Sequence, residues 1–594
     1  MFGTEPACQT GRNEGFRAIM KSFFGSVALL LDQKMAKLGW ETCRQAGAKF
    51  VSERITQDEF YMDIDCIPFK HTGYFSPLIC DYLDEKKALK PFYNRFPTLK
   101  NFKEQINEKS KNFPSAHRDV LYAALQNQYT NTKASKKTQG HIKQLKETNT
   151  FTVVTGHQLN LFTGPLYFLY KIVSTINLTK ALKKEYPKYN FVPVYWMATE
   201  DHDFDEINYF NFNGKKLKWN KKASGAVGHL KTDGLEDVYE TFANAMGNSA
   251  NAEILKSLFT KAYLEHDTLT EAARYIANAL FGEQGLVILD GDDIELKRLM
   301  IPYAKIDILE QLPYKKVSET ISELAGVSGK YGIQVNPREI NYFYLTKGIR
   351  ERIIEKNGKF FVNETEIEFS KEELLSKLEN HPERFSPNVI ARPLYQEVIL
   401  PNLCYIGGGG EIAYWFELKS MFETMNITFP MILLRNSALL VSEKQHIKLQ
   451  KLNLTTEDIF QEQHSLINKK IRKLSEINID FSSQKKYLTA QFKNLYELAE
   501  QTDKSFIGAV KAQETKQLKG LDRLEKRLLK AQKRKLKDHV ARIALIQDEL
   551  FPNKSLQERT VNFSELYLEM GENLIPELMD ALSPLQMGFL VLRG

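Results

Sequence analysis

Residues 191–208 read FVPVYWMATEDHDFDEIN, a short apolar run that passes directly into a crowd of carboxylates. Phe191 to Met197 is apolar on both alternating faces, which predicts a strand covered on both sides rather than the half-exposed strand of an antiparallel sheet. Glu200, Asp201, Asp203, Asp205 and Glu206 then place five carboxylates in seven residues around His202. Like charges at this density raise one another's pKa values and prepare a general base or a seat for an amine. Capping of the next helical turn is the competing role for the same side chains. A metal centre on Asp201, His202 and Asp203 would lack a second histidine at ligand spacing, and no metal ligand is assigned.

Upstream, Thr150 to Val154 (TFTVV) predicts another strand, followed by the turn-rich Thr155-Gly156-His157-Gln158. Thr163-Gly164-Pro165 opens a helix whose apolar positions Leu166, Leu169, Tyr170, Val173 and Ile176 recur at helical spacing, with Pro165 in a first turn that needs no N–H from it. Downstream, Leu286 to Leu289 and Met431 to Leu434 are two further apolar runs, ending at Asp290 and Arg435. Such runs alternating with amphipathic helices predict an α/β protein built on a Rossmann-like, doubly wound parallel sheet, whose site lies beyond the carboxyl ends of its strands.

Two glycine-bearing loops fall at that edge. Thr155 to Gly164 joins strand to helix, so its amides and the helix N-terminus are expected to hold a phosphate or carboxylate, with His157 as a donor; a plain tight turn with its histidine in solvent is the alternative. Gly407-Gly408-Gly409-Gly410-Glu411 precedes a helix carrying Ile412, Trp415 and Phe416, lets the backbone approach a ligand, and puts a carboxylate in the first turn. The expected catalytic group is therefore Asp201, His202, Asp203, Asp205 and His157. The expected binding group is Thr155, Gly156, Gln158, Thr163, Gly164, Glu200, Gly408, Gly409, Gly410 and Glu411. Cys404, without a nearby histidine, reads as a buried thiol.

At 594 residues the chain needs several structural units, and 43% hydrophobic with 26% charged residues is the composition of an ordinary globular protein. No run of about 18 apolar residues occurs, no cleavable leader is recognisable, and five scattered cysteines lack CxxC spacing; the expectation is a cytoplasmic protein with reduced thiols. The net charge of +7 is concentrated between Lys504 and Leu550, where 13 Lys/Arg face 6 Asp/Glu. There Leu529, Leu536 and Ile543 recur every seven residues, as in a coiled coil or helical hairpin, with Glu525 and Gln532 interrupting the seam. Lys533-Arg534-Lys535 suggests an RNA-binding or synthetase-like rival function, against which stands the single stacking aromatic of that segment, Phe506.

The expected organisation is an N-terminal extension at 1–61, poorly ordered; a helical preface and first half of the core at 62–210; a first insertion at 211–280; a core strand and helix at 281–311; and a second insertion at 312–383. The Lys356-Asn357-Gly358-Lys359 hairpin signal falls in that insertion. The second half of the core follows at 384–441, a helical coiled coil at 442–550, and a segment packing back on the core at 551–594.

The stretches TGHQLNLFTGPLYFLYK (Thr155 to Lys171), VPVYWMATEDHDFDEIN (Val192 to Asn208), GGGGEIAYW (Gly407 to Trp415) and LFPNKSLQER (Leu550 to Arg559) together resemble the BshC family, the cysteine-adding enzymes of bacillithiol biosynthesis, over about residues 62 to 594. The resemblance implies a core similar to class I aminoacyl-tRNA synthetases, two connective-peptide insertions and a C-terminal coiled coil supporting a homodimer. It implies an amide-forming reaction between the cysteine carboxyl and the amine of glucosaminyl-malate, and an adenine nucleotide, ATP or ADP, as ligand. Where synthetases carry H-x-G-H this chain has Thr155-Gly156-His157-Gln158, and its nearest approach to their lysine-serine signature is Val441-Ser442-Glu443-Lys444.

Overall fold

The computed structural model describes residues 63–593, so the expectation for 1–61 lies outside the described residues. Five strands, β1 (Thr150–His157), β2 (Asn190–Met197), β3 (Val287–Asp290), β4 (Asn402–Gly407) and β5 (Met431–Leu434), form one sheet in the order β5-β4-β1-β2-β3. Every pairing in it is parallel. The chain leaves β1 for β2 and β3 on one side and returns to β4 and β5 on the other, so the order reverses between β1 and β4. Helix α1 (Tyr167–Glu185) follows β1, α2 (Ile294–Arg298) follows β3, α3 (Ala391–Ile399) precedes β4, and α4 (Gly409–Phe416) follows it.

Two sequence expectations are corrected here. The sequence reading has no strand at Asn402–Gly407, yet β4 is fully buried beside β1. Its signal is weak because only Ile406 is β-branched and the glycines that follow read as loop. The first glycine segment is also partly strand: Thr155, Gly156 and His157 extend β1 and pair with Tyr195, Trp196 and Met197. The turn begins at Gln158.

Between β2 and β3 lies a hairpin, Tyr209–Phe212 with Lys215–Lys218, and the helices Glu236–Met246, Ala250–Tyr263 and Leu269–Phe281. Between β3 and β4 lie the helices Ile301–Glu310, Leu312–Val327 and Lys371–Asn380 and an antiparallel five-stranded sheet. That sheet contains the anticipated hairpin: Ile349–Lys356 turns into Lys359–Val362 through Asn357 (φ 53°) and Gly358 (φ 78°), both left-handed, as a type I′ turn requires. The strand Phe589–Arg593 pairs with both Asp63–Ile67 and Ser437–Val441, so the C-terminal segment packs on the core.

The helical region forms a hairpin of α5 (Ser482–Glu500) and α6 (Lys504–Lys535), followed by α7 (Lys537–Leu550). Phe492, Ala499 and Val510 are buried between α5 and α6. Glu525, which looks like a flaw in the heptad seam, accepts from Arg472 at 2.8 Å and from Lys485 at 3.0 Å and so pins the hairpin at its base. Leu529 and Ile543 are buried in the chain's own core, which also takes in Leu466, Ile467 and Ile471 of the helix Gln463–Leu474.

Candidate active site

The carboxyl edge of the sheet carries two charged groupings, and the first surrounds the crossing of β1 and β4. Thr155 is buried and donates through Oγ1 to the Ile406 carbonyl at 2.8 Å, which ties the two strands together. The Gly156 carbonyl accepts from Lys171 Nζ at 2.7 Å, and a Cβ at Gly156 would stand 3.2 Å from Tyr405 Oη. Lys171 also meets Glu411 Oε2 at 2.6 Å, while Glu411 Oε1 accepts from Tyr405 Oη at 2.7 Å. Burial works against ionisation of Glu411, but Lys171 and the Gly408 amide outweigh it and hold the carboxyl below its ordinary range. Burial pulls Lys171 down, with Glu411 opposing.

His157 does not sit in solvent. Its ring is buried against Tyr167 and Phe168, with centroids 5.3 and 5.1 Å away, and burial reinforced by Lys171 pushes its pKa down to about 3. It is a neutral imidazole whose Nε2 has no hydrogen-bond partner. The expected phosphate cradle from Thr155 to Gly164 is not open either. The Phe162 amide donates to Tyr263 Oη at 2.7 Å, that of Gly164 to the Leu161 carbonyl, and that of Leu166 to the Val561 carbonyl. Asn562 Nδ2 binds the carbonyls of Phe162 (2.8 Å) and Gly164 (2.6 Å), fixing the left-handed turn at Thr163 (φ 67°) and Gly164 (φ 62°). Thr163 and Gly164 thus shape the turn, because the protein itself satisfies these loop amides.

The second glycine loop keeps more of its expected character. Gly407 ends β4 with no space for a Cβ, which would lie 2.9 Å from Glu411 Cβ. Gly408 donates to Glu411 Oε2 at 2.8 Å, and Gly409 and Gly410 open α4, where first-turn amides have no acceptor within the helix. A Cβ at Gly409 or Gly410 would meet only the side chains of Ile79 (3.5 Å) and Gln334 (3.7 Å). Beside this loop Arg435 is buried, bonded through Nη2 to Glu558 Oε1 at 2.8 Å and lying 5.1 Å over the Tyr167 ring, while its Nε has no partner. Arg392 stands 5.7 Å from the rings of both Trp196 and Tyr405 and donates to Tyr414 Oη at 3.3 Å.

The second grouping is the acidic loop after β2. Glu200 is buried and bonded to Lys297 Nζ of α2 at 2.6 Å, so it acts as a buried counter-ion to that lysine. Burial raises its pKa and Lys297 opposes the rise. Lys297 also reaches Asp292 Oδ1 at 2.7 Å, and Asp292 Oδ2 takes His229 Nε2 at 2.7 Å. Burial disfavours the Asp292 carboxylate, but Lys297 and His229 prevail and bring it to about 2. Asp201, His202, Asp203, Asp205 and Glu206 remain at least partly exposed. Gln158 Nε2 bridges Asp201 (2.9 Å) and Glu206 (3.0 Å), linking the first loop to the second. Arg350, carried in by the second insertion, places Nη1 2.6 Å from His202 Nδ1 and stacks 4.0 Å over Phe343. Asp203 precedes the short helix Phe204–Ile207 without a side-chain capping bond, so capping does not account for it. Both groupings lie at the carboxyl ends of adjacent parallel strands, β4 and β1 for the first and β2 for the second.

Lys171, Arg350, Arg392, Tyr405, Asp292, Lys297 and His229 were not singled out by sequence reasoning. Lys171 alone had a local signal, a lysine among the apolar helical positions Leu169, Tyr170 and Val173. Arg350, for one, meets His202 across 148 residues of sequence.

Two family models cover the chain: "Bacillithiol biosynthesis BshC, N-terminal Rossmann-like domain" matches residues 62–436, and "Bacillithiol biosynthesis BshC, C-terminal coiled-coil domain" matches residues 438–593. A protein of Christiangramia forsetii named "Putative cysteine ligase BshC" is 60% identical over 535 residues, covering 89% of this chain and 99% of its own. A protein of the same name from Cytophaga hutchinsonii is 36% identical over 521 residues, with 88% and 97% covered. The solved structure of a "putative arginyl t-RNA synthetase" from Campylobacter jejuni aligns at 11% identity with a TM-score of 0.21, covering 80% of this chain and 99% of its own, too loosely to bear on the fold.

Proposed function

The chain belongs to the BshC family of bacillithiol biosynthesis, and from that premise we propose that it is a cysteine ligase catalysing the last step, in which the cysteine carboxyl and the amine of glucosaminyl-malate form an amide. The observation that carries this reading is the division of charge along the sheet edge. Around α4, three cations, Lys171, Arg392 and Arg435, against two carboxylates, Glu411 and Glu558, accompany the first-turn amides, a setting for anionic groups; after β2, Asp203, Asp205 and Glu206 stand exposed with Asp201 half-buried beside them, a setting for an ammonium. An amide made from a carboxylate needs an activated acyl group, and ATP is the expected source, with ADP as the product or a bound ligand. The residues fit a phosphate-bearing ligand, because Arg435 Nε is a buried donor without a partner beside Gly408. Gly408, Gly409, Gly410 and Arg435 would hold its phosphates, and bound nucleotide would supply the activating group.

Incubating the purified protein with glucosaminyl-malate, cysteine and ATP and following bacillithiol by mass spectrometry tests the proposal. Product dependent on all three supports it, and its absence with folded protein rejects it. Two further parts of the reading are a cytoplasmic location and a homodimer. Among the described residues no helix is long and apolar enough to cross a membrane. The dimer reading is supported by the apolar side chains that the hairpin exposes, Tyr487, Leu495, Leu498, Phe506 and Leu524.

A further inference from the structure

A row of four ionisable side chains runs from the interior to the rim of the acidic loop and ends in an open imidazole. Glu200 bonds Lys297, Lys297 bonds Asp292, and Asp292 bonds His229 Nε2, at 2.6, 2.7 and 2.7 Å. The side chains of Lys297 and Asp292 are 3% and 11% exposed, whereas that of His229 is 56% exposed. The Glu200–Lys297–Asp292 part is buried and belongs to the architecture, but the last link, from Asp292 to the exposed His229, adds little to stability, so folding does not explain why the row is carried out to a rim histidine. The segment bearing it is fastened to the acidic loop: the Val227 amide donates to the Asp201 carbonyl at 2.7 Å and the Gly228 amide to the Thr199 carbonyl at 2.8 Å. Glycine is needed at 228, since a Cβ would lie 2.5 Å from Thr270 Oγ1 and 2.8 Å from Thr199. The chain thus gives up a side chain to bring His229 against this loop.

We propose that His229 is the general base for the acceptor amine and that Asp292 is its positioning residue, an inference resting on the ligase reading above. Asp292 fixes the tautomer with the proton on Nε2, which leaves the Nδ1 lone pair free. An ammonium seated on the acidic loop passes one proton to Nδ1. The amine then attacks the carbonyl carbon of a cysteine whose carboxyl is activated as a mixed anhydride. The C–N bond forms, the C–O bond to the leaving group breaks with its electron pair, and the second amine proton departs with that group. The charged and titratable groups facing His229 are Asp290 and Asp292 after β3, Glu200 after β2 and, through Asp292, Lys297 of α2. The Asp292 hydrogen bond leads in raising the His229 pKa, so the rate should climb with pH through a value above that of an ordinary histidine.

The test compares wild type, His229→Ala, His229→Gln and Asp292→Asn in the mass-spectrometric ligation assay from pH 5.5 to 9, with and without added imidazole. His229→Ala should lose about 100-fold or more in rate, keep the wild-type melting temperature, lack the acid limb, and regain activity with imidazole. Asp292→Asn should be slower, with its acid limb moved to lower pH because the carboxylate that raises the histidine is gone. Active wild type with an unchanged pH profile in His229→Ala and His229→Gln overturns the base assignment alone, as does a loss that imidazole does not rescue. Wild type inactive under all conditions overturns the ligase reading and this assignment with it.

Discussion

Arg350 of the second insertion lies 2.6 Å from His202 of the acidic loop, across 148 residues of sequence. The guanidinium is nearly buried, donates also to Ser386 Oγ at 3.0 Å, and stacks on Phe343, so its position is determined from three sides. An insertion attached to the core at two points therefore touches the loop expected to seat the amine. Arg350→Lys keeps the charge but loses the planar fork. It should lower ligation efficiency at least about 10-fold while costing about 1–3 kcal/mol in urea unfolding, as expected for one buried charge-assisted hydrogen bond. Full activity would show that the loop holds its shape without the insertion.

Lys297→Met removes the cation shared by Glu200 and Asp292 and leaves two buried carboxylates facing each other. The loss should be about 3–5 kcal/mol by denaturant unfolding. Adding Glu200→Gln should recover part of it, because one unpaired charge is then gone. Additive losses in the double variant would mean that the two side chains are not coupled.

Asp203→Asn and Asp205→Asn test the exposed carboxylates, whose side chains are 57% and 91% exposed. Each should abolish bacillithiol formation and change stability by less than about 1 kcal/mol. Unfolding of either variant would assign the residue to the architecture.

Asp307 gives a pH signature distinct from catalysis. It is buried, accepts from the Asn341 amide at 2.7 Å and from Asn341 Nδ2 at 3.1 Å, and burial raises its pKa to about 7. The folded chain therefore holds a proton that the unfolded chain releases near pH 4. Its stabilising contribution is complete at low pH and is lost as pH rises from about 4 through 7. Replacing it by Asn should remove that decline, so the stability difference between wild type and variant should shift by a few kcal/mol between pH 5 and pH 8, at about 1.4 kcal/mol per pKa unit. A difference independent of pH would show that the carboxyl titrates normally.

The heptad leucines are the wrong handles for the dimer. Ile543 is fully buried and Leu529 nearly so, so charges placed there should unfold the helical region. Leu498→Glu with Phe506→Glu, both on exposed positions, should instead give a folded monomer by light scattering if the hairpin pairs two chains. A variant that stays dimeric would move the interface elsewhere.

How far the sequence could be read depended on the range of the interactions. β2 was legible because FVPVYWM is apolar on both faces, and the Asn357-Gly358 turn because only a few residue types accept its backbone. β4 was not, since its identity as a strand comes from lying between β1 and β5, a tertiary fact that Asn402 to Gly407 do not carry locally. The acidic loop was recognisable from charge density alone. That Glu200 differs from its neighbours, closed off by Lys297 while Asp203 and Asp205 stay open, depends on a helix placed after β3. His157 shows the opposite error: a histidine beside glycines reads as a loop donor, but three more residues of strand, Thr155 to His157, carry it inside.

The two hydrogen bonds from Asn562 to Phe162 and Gly164 span 400 and 398 residues. Whatever shape the Leu161–Gly164 turn takes while the chain is being made, its native clamp does not exist until nearly four hundred further residues have left the ribosome. Contacts of such separation form late and slowly. The nascent sheet must wait, with one loop of its working edge unfastened, through the synthesis of both insertions and the entire helical hairpin.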